Sequence, residues 1–507
     1  MKLKTTAILA VCGVLVSAAG AFAIPVSKTT TSPAASPDPA VVSETPTSRM
    51  SAGDTLQIDA RLGHASLSKG ARGETYLFAS VTAKDDAQQG TATASPLNLA
   101  IVIDRSGSMK GDRIANAMNA AVAAVERMRD GDSVSVVSFD TSSRVEVPPT
   151  RVSSGNRSSI EAAIRSIRLG GDTCISCGLE EGMQQLALTP LGGDRINRMI
   201  LLSDGATNAG IRDMSGLRAM ANRMSGRGVT ISTIGVDVDF DEKIMAAIAN
   251  EANGRHYFVQ NASGLPAVFS QEFDDLMASV AKEADVEIQL APGVEVDEVF
   301  DRTFRREGNK LIVPFGTFSA KQEKTVLVKL RVPTDHDGSQ PVADVKLAYR
   351  DLVKKKDASC DGNLVLAVKS DGTEQKDMDP FVAARLERSR TATTLTEANK
   401  LFEQGRVAEA RDKLASRQGD LAKAKVGAVA LASATSNPFA APPPRAAKPL
   451  ARDFDDQSAA LAQAQQNFAG PSGGAADSSG RFAPAPTTRT GKAQVRTNQE
   501  KAAEFGF

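Results

Sequence analysis

At 507 residues the chain is long enough for two or three domains, and its 60 Lys and Arg against 60 Asp and Glu leave no net charge. That balance removes bulk attraction to nucleic acid or to an anionic membrane surface. With no Trp and only 3 Tyr, stacking platforms for single-stranded nucleic acid or sugars lack their usual material.

The opening "MKLKTTAILAVCGVLVSAAGAFAIPV" sets two lysines before an apolar stretch that ends in Ala21-Phe22-Ala23. This is the layout of a secretory signal over residues 1–23, cleaved after Ala23, and too short for a membrane anchor. Val11 before Cys12 argues against lipid attachment there. The mature chain is therefore expected in the periplasm, on the cell surface or secreted, with no transmembrane span. Residues 24–53, rich in Ser, Thr, Pro and Ala, read as a disordered leader. Two strand-like runs follow, "DTLQIDARL" and "ETYLFASVTA".

From 97 to 283 strand and helix patterns alternate. "LNLAIVID" is a buried strand. "RIANAMNAAVAAVERM" places Ile114, Ala117, Met118, Ala121, Val122 and Val125 on one helical face. "SVSVVSF", "RMILLSDG", "VTISTIGV" and "RHYFV" are further strands, with amphipathic helices between them and a last helix from Leu265 to about Ala284. Such alternation predicts a doubly wound α/β domain with helices on both faces of a mainly parallel sheet. After 284 the strands follow one another without helices. A sandwich built from 54–96 and 284–370, on both sides of the inserted α/β domain, gives the two early strands partners. Residues 379–424 predict a helical hairpin resembling a tetratricopeptide-like pair, turning at Gly405 in "KLFEQGRVAEA". Residues 425–507, with tracts of Pro, Ala, Gly and Ser, read as a disordered tail.

Three loops at carboxyl ends of the α/β strands carry oxygen side chains: Asp104, Ser106 and Ser108 in "DRSGS", Thr173 in "GGDTCISCGLE", and Asp204 in "LLSDGATNAG". Here the chain resembles a von Willebrand factor A (VWA) domain of the bacterial exported type with flanking β segments, over about 97–283. The three pieces match that family's metal-ion-dependent adhesion site. The resemblance implies that Ser106 and Ser108 bind an ion directly, that Thr173 binds it directly or through water, and that Asp104 and Asp204 act largely through water. Hydroxyls and carboxylates are hard ligands suited to Mg²⁺, which takes about six oxygens at roughly 2.0–2.1 Å. Mn²⁺ substitutes, and Ca²⁺ fits less well. Such a set leaves a coordination position for an exposed Asp or Glu of a protein partner. Arg105, outside the ion's shell, either attracts that acid or is a solvated loop residue.

Many family members have "GGTN" where this chain has "GGDTC", so Asp172 adds an acid and Cys174 replaces a polar residue. In an exported chain Cys174 and Cys177 are expected to close a disulfide, leaving Cys360 free; the alternative is two buried thiols at a helix start. A serine hydrolase would need a base, yet the histidines are His64, His256 and His336, and His256 reads as a strand-edge residue. A phospho-aspartyl enzyme would need an acid where Ser106 stands, and no phosphate-binding loop or dinucleotide fingerprint is present. The expectation is a non-enzymatic, metal-dependent protein-binding module. The alternative is an envelope assembly factor binding through the sandwich or tail, with a vestigial metal site. Oligomeric state is not legible.

Overall fold

A computed structural model describes residues 46–84, 95–237, 240–370, 378–434, 450–469 and 488–506. The expected cleavage after Ala23 and the leader up to residue 45 lie outside the described residues. The first strands are β1 (Arg49–Gly53), β2 (Leu56–Leu62), β3 (Ser66–Ser68) and β4 (Glu74–Ala83). The leader was expected to reach residue 53, but Arg49–Gly53 pair antiparallel with β2, Met50 opposite Ala60, and Met50 is buried. Five residues with one large apolar side chain carry too little periodicity to announce a strand.

The α/β region follows as β5 (Leu97–Asp104), α1 (Asp112–Arg127), β6 (Ser133–Phe139), β7 (Ser143–Arg151), α2 (Arg157–Arg165), α3 (Ile175–Ala187), β8 (Ile196–Ser203), α4 (Met214–Ser225), β9 (Val229–Val236), α5 (Glu242–Glu251), β10 (Asn253–Val259) and α6 (Leu265–Met277). The sheet order is β10-β9-β8-β5-β6-β7, parallel except for the edge strand β7. Alternation along β5 feeds two cores. Leu97, Leu99, Ile101 and Ile103 pack with Ala121 and Val125 of α1 and Phe269 and Phe273 of α6. Ala100 and Val102 face Leu179 of α3 and Leu217 of α4.

The remaining strands are β11 (Ser279–Leu290), β12 (Glu295–Phe300), β13 (Arg305–Glu307), β14 (Lys310–Ser319), β15 (Glu323–Arg331), β16 (Gly338–Asp351) and β17 (Lys356–Lys369). The helix expected to reach about Ala284 stops at Met277, and β11 begins at Ser279. "SVAKEA" has helix-favouring composition, but pairing with β14 and β16 overrides it, with irregular register between Ala281 and Asp285 and a left-handed Glu283 (φ 51°). The two sheets, β1-β2-β4-β15-β12 and β13-β14-β11-β16-β17-β3, share one core. In it Ile58, Leu77 and Val81 from before the α/β region meet Val286, Ile288, Val328 and Val345 from after it. The α/β domain is thus an insertion in a sandwich.

The last elements are α7 (Pro380–Glu403), α8 (Val407–Ala434), α9 (Leu450–Ala469) and α10 (Arg489–Gly506). The hairpin turns at Gly405 (φ 78°). The disordered tail expected over 425–507 is corrected within the described residues: α8 runs on to Ala434, and α9 and α10 pack on the hairpin. Phe454, Leu461 and Phe468 recur every seven residues on one face of α9, and the Phe468 ring stacks on Phe402 with centroids 4.2 Å apart. Ala-rich segments are strong helix formers, and between Pro and Gly tracts they pass for low complexity. No described helix is long and apolar enough to cross a membrane.

Candidate metal-binding site

β5 and β8 lie side by side in mid-sheet, and their connections leave in opposite directions, through α1 to β6 and through α4 to β9. A crevice opens beyond their carboxyl ends at this switch point. Asp104 closes β5 and is fully buried. Ser106 N donates to its Oδ1 at 2.8 Å and Ser203 Oγ to its Oδ2 at 2.5 Å. The Ser106 and Ser108 hydroxyls are 3.1 Å apart, and Ser108 Oγ donates to Asp204 Oδ1 at 2.6 Å. Thr173, between α2 and α3, faces them across Gly205. A Cβ built on Gly205 would lie 3.4 Å from Thr173 Oγ1 and 3.5 Å from Ser108 Oγ. The structure therefore brings all five residues to one place, from three loops.

Backbone bonds lace the loops together. Thr173 N donates to Asn208 Oδ1 at 2.7 Å, and Asn208 N to Thr173 O at 3.0 Å. Gly170 N donates to Arg105 O at 2.7 Å, and Gly107 N to Gly171 O at 3.1 Å. Gly170 is required sterically, since a Cβ there would stand 1.7 Å from Asp140 Oδ2. Arg105 is neither a free attractor nor a solvated residue: its Nη2 pairs with Asp140 Oδ2 at 3.1 Å and its Nη1 donates to Arg168 O. Burial raises the Asp140 pKa, but the N–H groups of Ser142 and Gly171 and the Arg105 guanidinium outweigh it and hold the carboxyl below its ordinary value.

Cys174 and Cys177 are joined by a disulfide, and Cys360 is free. Cys174 caps α3, with Cys177 N donating to its Sγ at 3.3 Å. Ile211 N donates to Ser176 Oγ at 2.9 Å, tying the third loop to the same turn. Gly210 (φ 65°) crosses so close that a Cβ would sit 2.5 Å from Cys174 Sγ. Alkylation of the protein from residue 24 onward without reduction is expected to modify one thiol, Cys360, and after reduction three. Intact mass checks this, and three modified thiols without reduction would refute the bond.

Burial pushes the Asp104 carboxyl up to about 6, with Asp204 adding to the rise and the Ser203 and Ser106 hydrogen bonds opposing it. Asp204 is buried too, and Arg113 of α1 donates to its Oδ2 at 2.6 Å. Sequence reasoning missed Arg113, Asp140 and Asn208. Arg113 left a signal: a guanidinium in the first turn of a helix opposes the helix dipole, which calls for an anionic partner. His256 lies on the edge strand β10, with Nδ1 2.9 Å from Thr233 Oγ1; burial and then Arg496 push it down to about 3.

The donor set is two carboxylates and three hydroxyls, with no nitrogen or sulfur, which fits a hard ion such as Mg²⁺. Among the described residues no three His, Cys, Asp or Glu side chains form a metal cage by themselves. Asp104, Ser106, Ser108, Thr173 and Asp204 are thus the residues that could hold an ion. When bound, such an ion supplies a Lewis-acidic position for an anionic ligand.

Residues 98–271 match the family model of the von Willebrand factor type A domain, and this segment is a VWA domain. The chain is 26% identical to an uncharacterized protein of Synechocystis over 64% of its own length and 76% of that protein's. It is 31% identical to the uncharacterized protein YfbK of Escherichia coli over 43% of its own length, which is only 37% of YfbK. Among solved structures, a von Willebrand factor type A protein from Catenulispora acidiphila shares the fold at 18% identity and a TM-score of 0.59, covering 72% of this chain and 88% of that one.

Proposed function

We propose that this chain is an exported, non-enzymatic binding protein whose VWA domain captures an acidic side chain of a partner through a divalent cation. The ion is Mg²⁺, or Mn²⁺ in its place, with Ca²⁺ less suited. The observation that carries this reading is the convergence of Asp104, Ser106, Ser108, Thr173 and Asp204 at the switch point, with Ser108 at the surface. Two carboxylates and three hydroxyls leave a divalent ion undersaturated and not repelled by a further carboxylate. The partner therefore offers an exposed Asp or Glu.

Because Thr173 is buried, Thr173→Val removes the hydroxyl while keeping the shape. A partner captured by the wild type is expected to bind this variant at least about tenfold more weakly in Mg²⁺, a loss of 1.4 kcal/mol or more. EDTA is expected to abolish binding by both. Titration by calorimetry measures it. Equal affinity in all four combinations would move binding to the sandwich or the helical segment.

A further inference from the structure

The charge that holds the oxygen cluster together comes from the neighbouring helix. Arg113 Nη1 donates to Asp204 Oδ2 at 2.6 Å and to Ser108 O at 2.9 Å, while its Nη2 donates to Asp237 Oδ2. Asp237, left-handed at φ 67° just after β9, pairs through Oδ1 with Arg489 Nη2 at 3.0 Å. Arg489 is the first residue of α10. Farther along α10, Arg496 donates to Phe240 O at 3.0 Å and pairs with Glu242. At its end, Gly506 O accepts from Arg385 of α7 at 2.7 Å. The helix is thus a strap from the helical segment to the rim of the site.

We propose that Arg113 is an internal counter-cation of the oxygen cluster, which a divalent ion must displace from Asp204, and that the seat of α10 on Asp237 sets how readily it leaves. This rests on the metal reading above. Asp104 and Asp204 are 0% and 1% exposed, and two buried carboxylates this close need a cation nearby. Arg113 supplies it through its Nη1 on Asp204 Oδ2. An ion taking over Asp204 repels the guanidinium, and Asp237 is already within Arg113's reach. A guanidinium settles best with its planar fork on both oxygens of one carboxylate. Arg489 already lies on both Asp237 oxygens, its Nη2 on Oδ1 at 3.0 Å and its Nη1 on Oδ2 at 3.1 Å, so Arg113 moving fully onto Asp237 competes with the first turn of α10. Ion binding and the seating of α10 therefore oppose each other. Linkage makes this reciprocal: whatever loosens α10 at Asp237 tightens the ion by the same factor.

The test is calorimetric titration of the full chain with Mn²⁺, for wild type, Arg113→Gln and Arg489→Gln, with amide hydrogen exchange over residues 489–494. Arg113→Gln is expected to bind Mn²⁺ at least about fivefold tighter, and Arg489→Gln about two- to fivefold tighter. Mn²⁺ is expected to speed exchange in the first turn of α10 of the wild type. Mn²⁺ binding by wild type with no gain in either variant would overturn the role of Arg113. Binding by neither wild type nor Arg113→Gln would overturn the metal reading itself. Should Arg113→Gln fail to unfold cooperatively, Arg489→Gln and the wild-type exchange, which leave α1 untouched, decide the question.

Discussion

Asp104→Asn is expected to raise the melting temperature of the metal-free protein and to erase the further rise that Mg²⁺ or Mn²⁺ gives the wild type. Asp104 is fully buried, its oxygens bonded to Ser106 N and Ser203 Oγ, and its pKa is pushed up to about 6. Asparagine keeps both bonds, because its amide can donate to the Ser203 hydroxyl. A carboxyl whose folded pKa lies above its unfolded value stabilises below the unfolded value, and that stability is lost as pH rises through the folded one. Metal-free wild type should therefore lose stability between about pH 4 and pH 7, by about 3 kcal/mol for a shift of this size. The variant lacks this loss. Glu242 is raised to about 7, by burial first, so it titrates in the same window; the difference between the two proteins cancels it. An ion that binds only the folded state restores the wild type, by about 2.7 kcal/mol at a hundred times its Kd. Scanning calorimetry at pH 5 and pH 7.5, with EDTA or Mg²⁺, measures both effects. An equal Mg²⁺ shift in both proteins would remove Asp104 from any metal site.

The inserted plan was legible because its signals are long and redundant. β5 and β8 carry apolar runs, Leu99–Ile103 and Met199–Leu202, that lead to an acid, Asp104 at the end of β5 and Asp204 just after β8. The early strands β2 and β4 read as strands without a partner until the run after residue 284 supplied one. The five oxygen residues were legible because each sits where a buried strand ends or a helix begins. What encloses them was not. Arg113 and Asp237 meet across 124 residues and Arg489 and Asp237 across 252, and a charge pair of that separation leaves no periodic trace. Asp140 was hidden for another reason: its role is to receive N–H groups from a glycine loop, and only backbone geometry reveals that. The tail failed on composition. Its helices carry one large apolar residue per two turns, enough to pack once α7 and α8 offer a surface and too few to be read without it.

The sandwich is expected to be unable to form from its second half alone. β4 lies between β2 and β15, with Phe78 opposite Leu327 and Leu77 opposite Val328. Removing residues 46–84 takes Leu56, Ile58, Leu62, Leu77 and Val81 out of the shared core. Burial of one such side chain is worth about 1.5–3 kcal/mol, so the loss is on the order of 10 kcal/mol, the size of a whole domain's stability. Residues 278–370 alone are expected to show no cooperative unfolding in urea. Residues 95–278 are expected to unfold cooperatively on their own, because both of their cores are internal apart from Leu352, which joins from the turn after β16. The fold also supplies its own rescue. Val365 N donates to Thr47 O at 3.0 Å, so the start of the early strands lies beside β17. A short flexible linker from residue 370 back to residue 46 then joins 278–370 to 46–84 without crossing the structure. That permuted chain is expected to regain a single cooperative transition by circular dichroism. Cooperative unfolding of 278–370 without the early strands would show that β4 covers a core already complete, and the insertion would then be one of connection only.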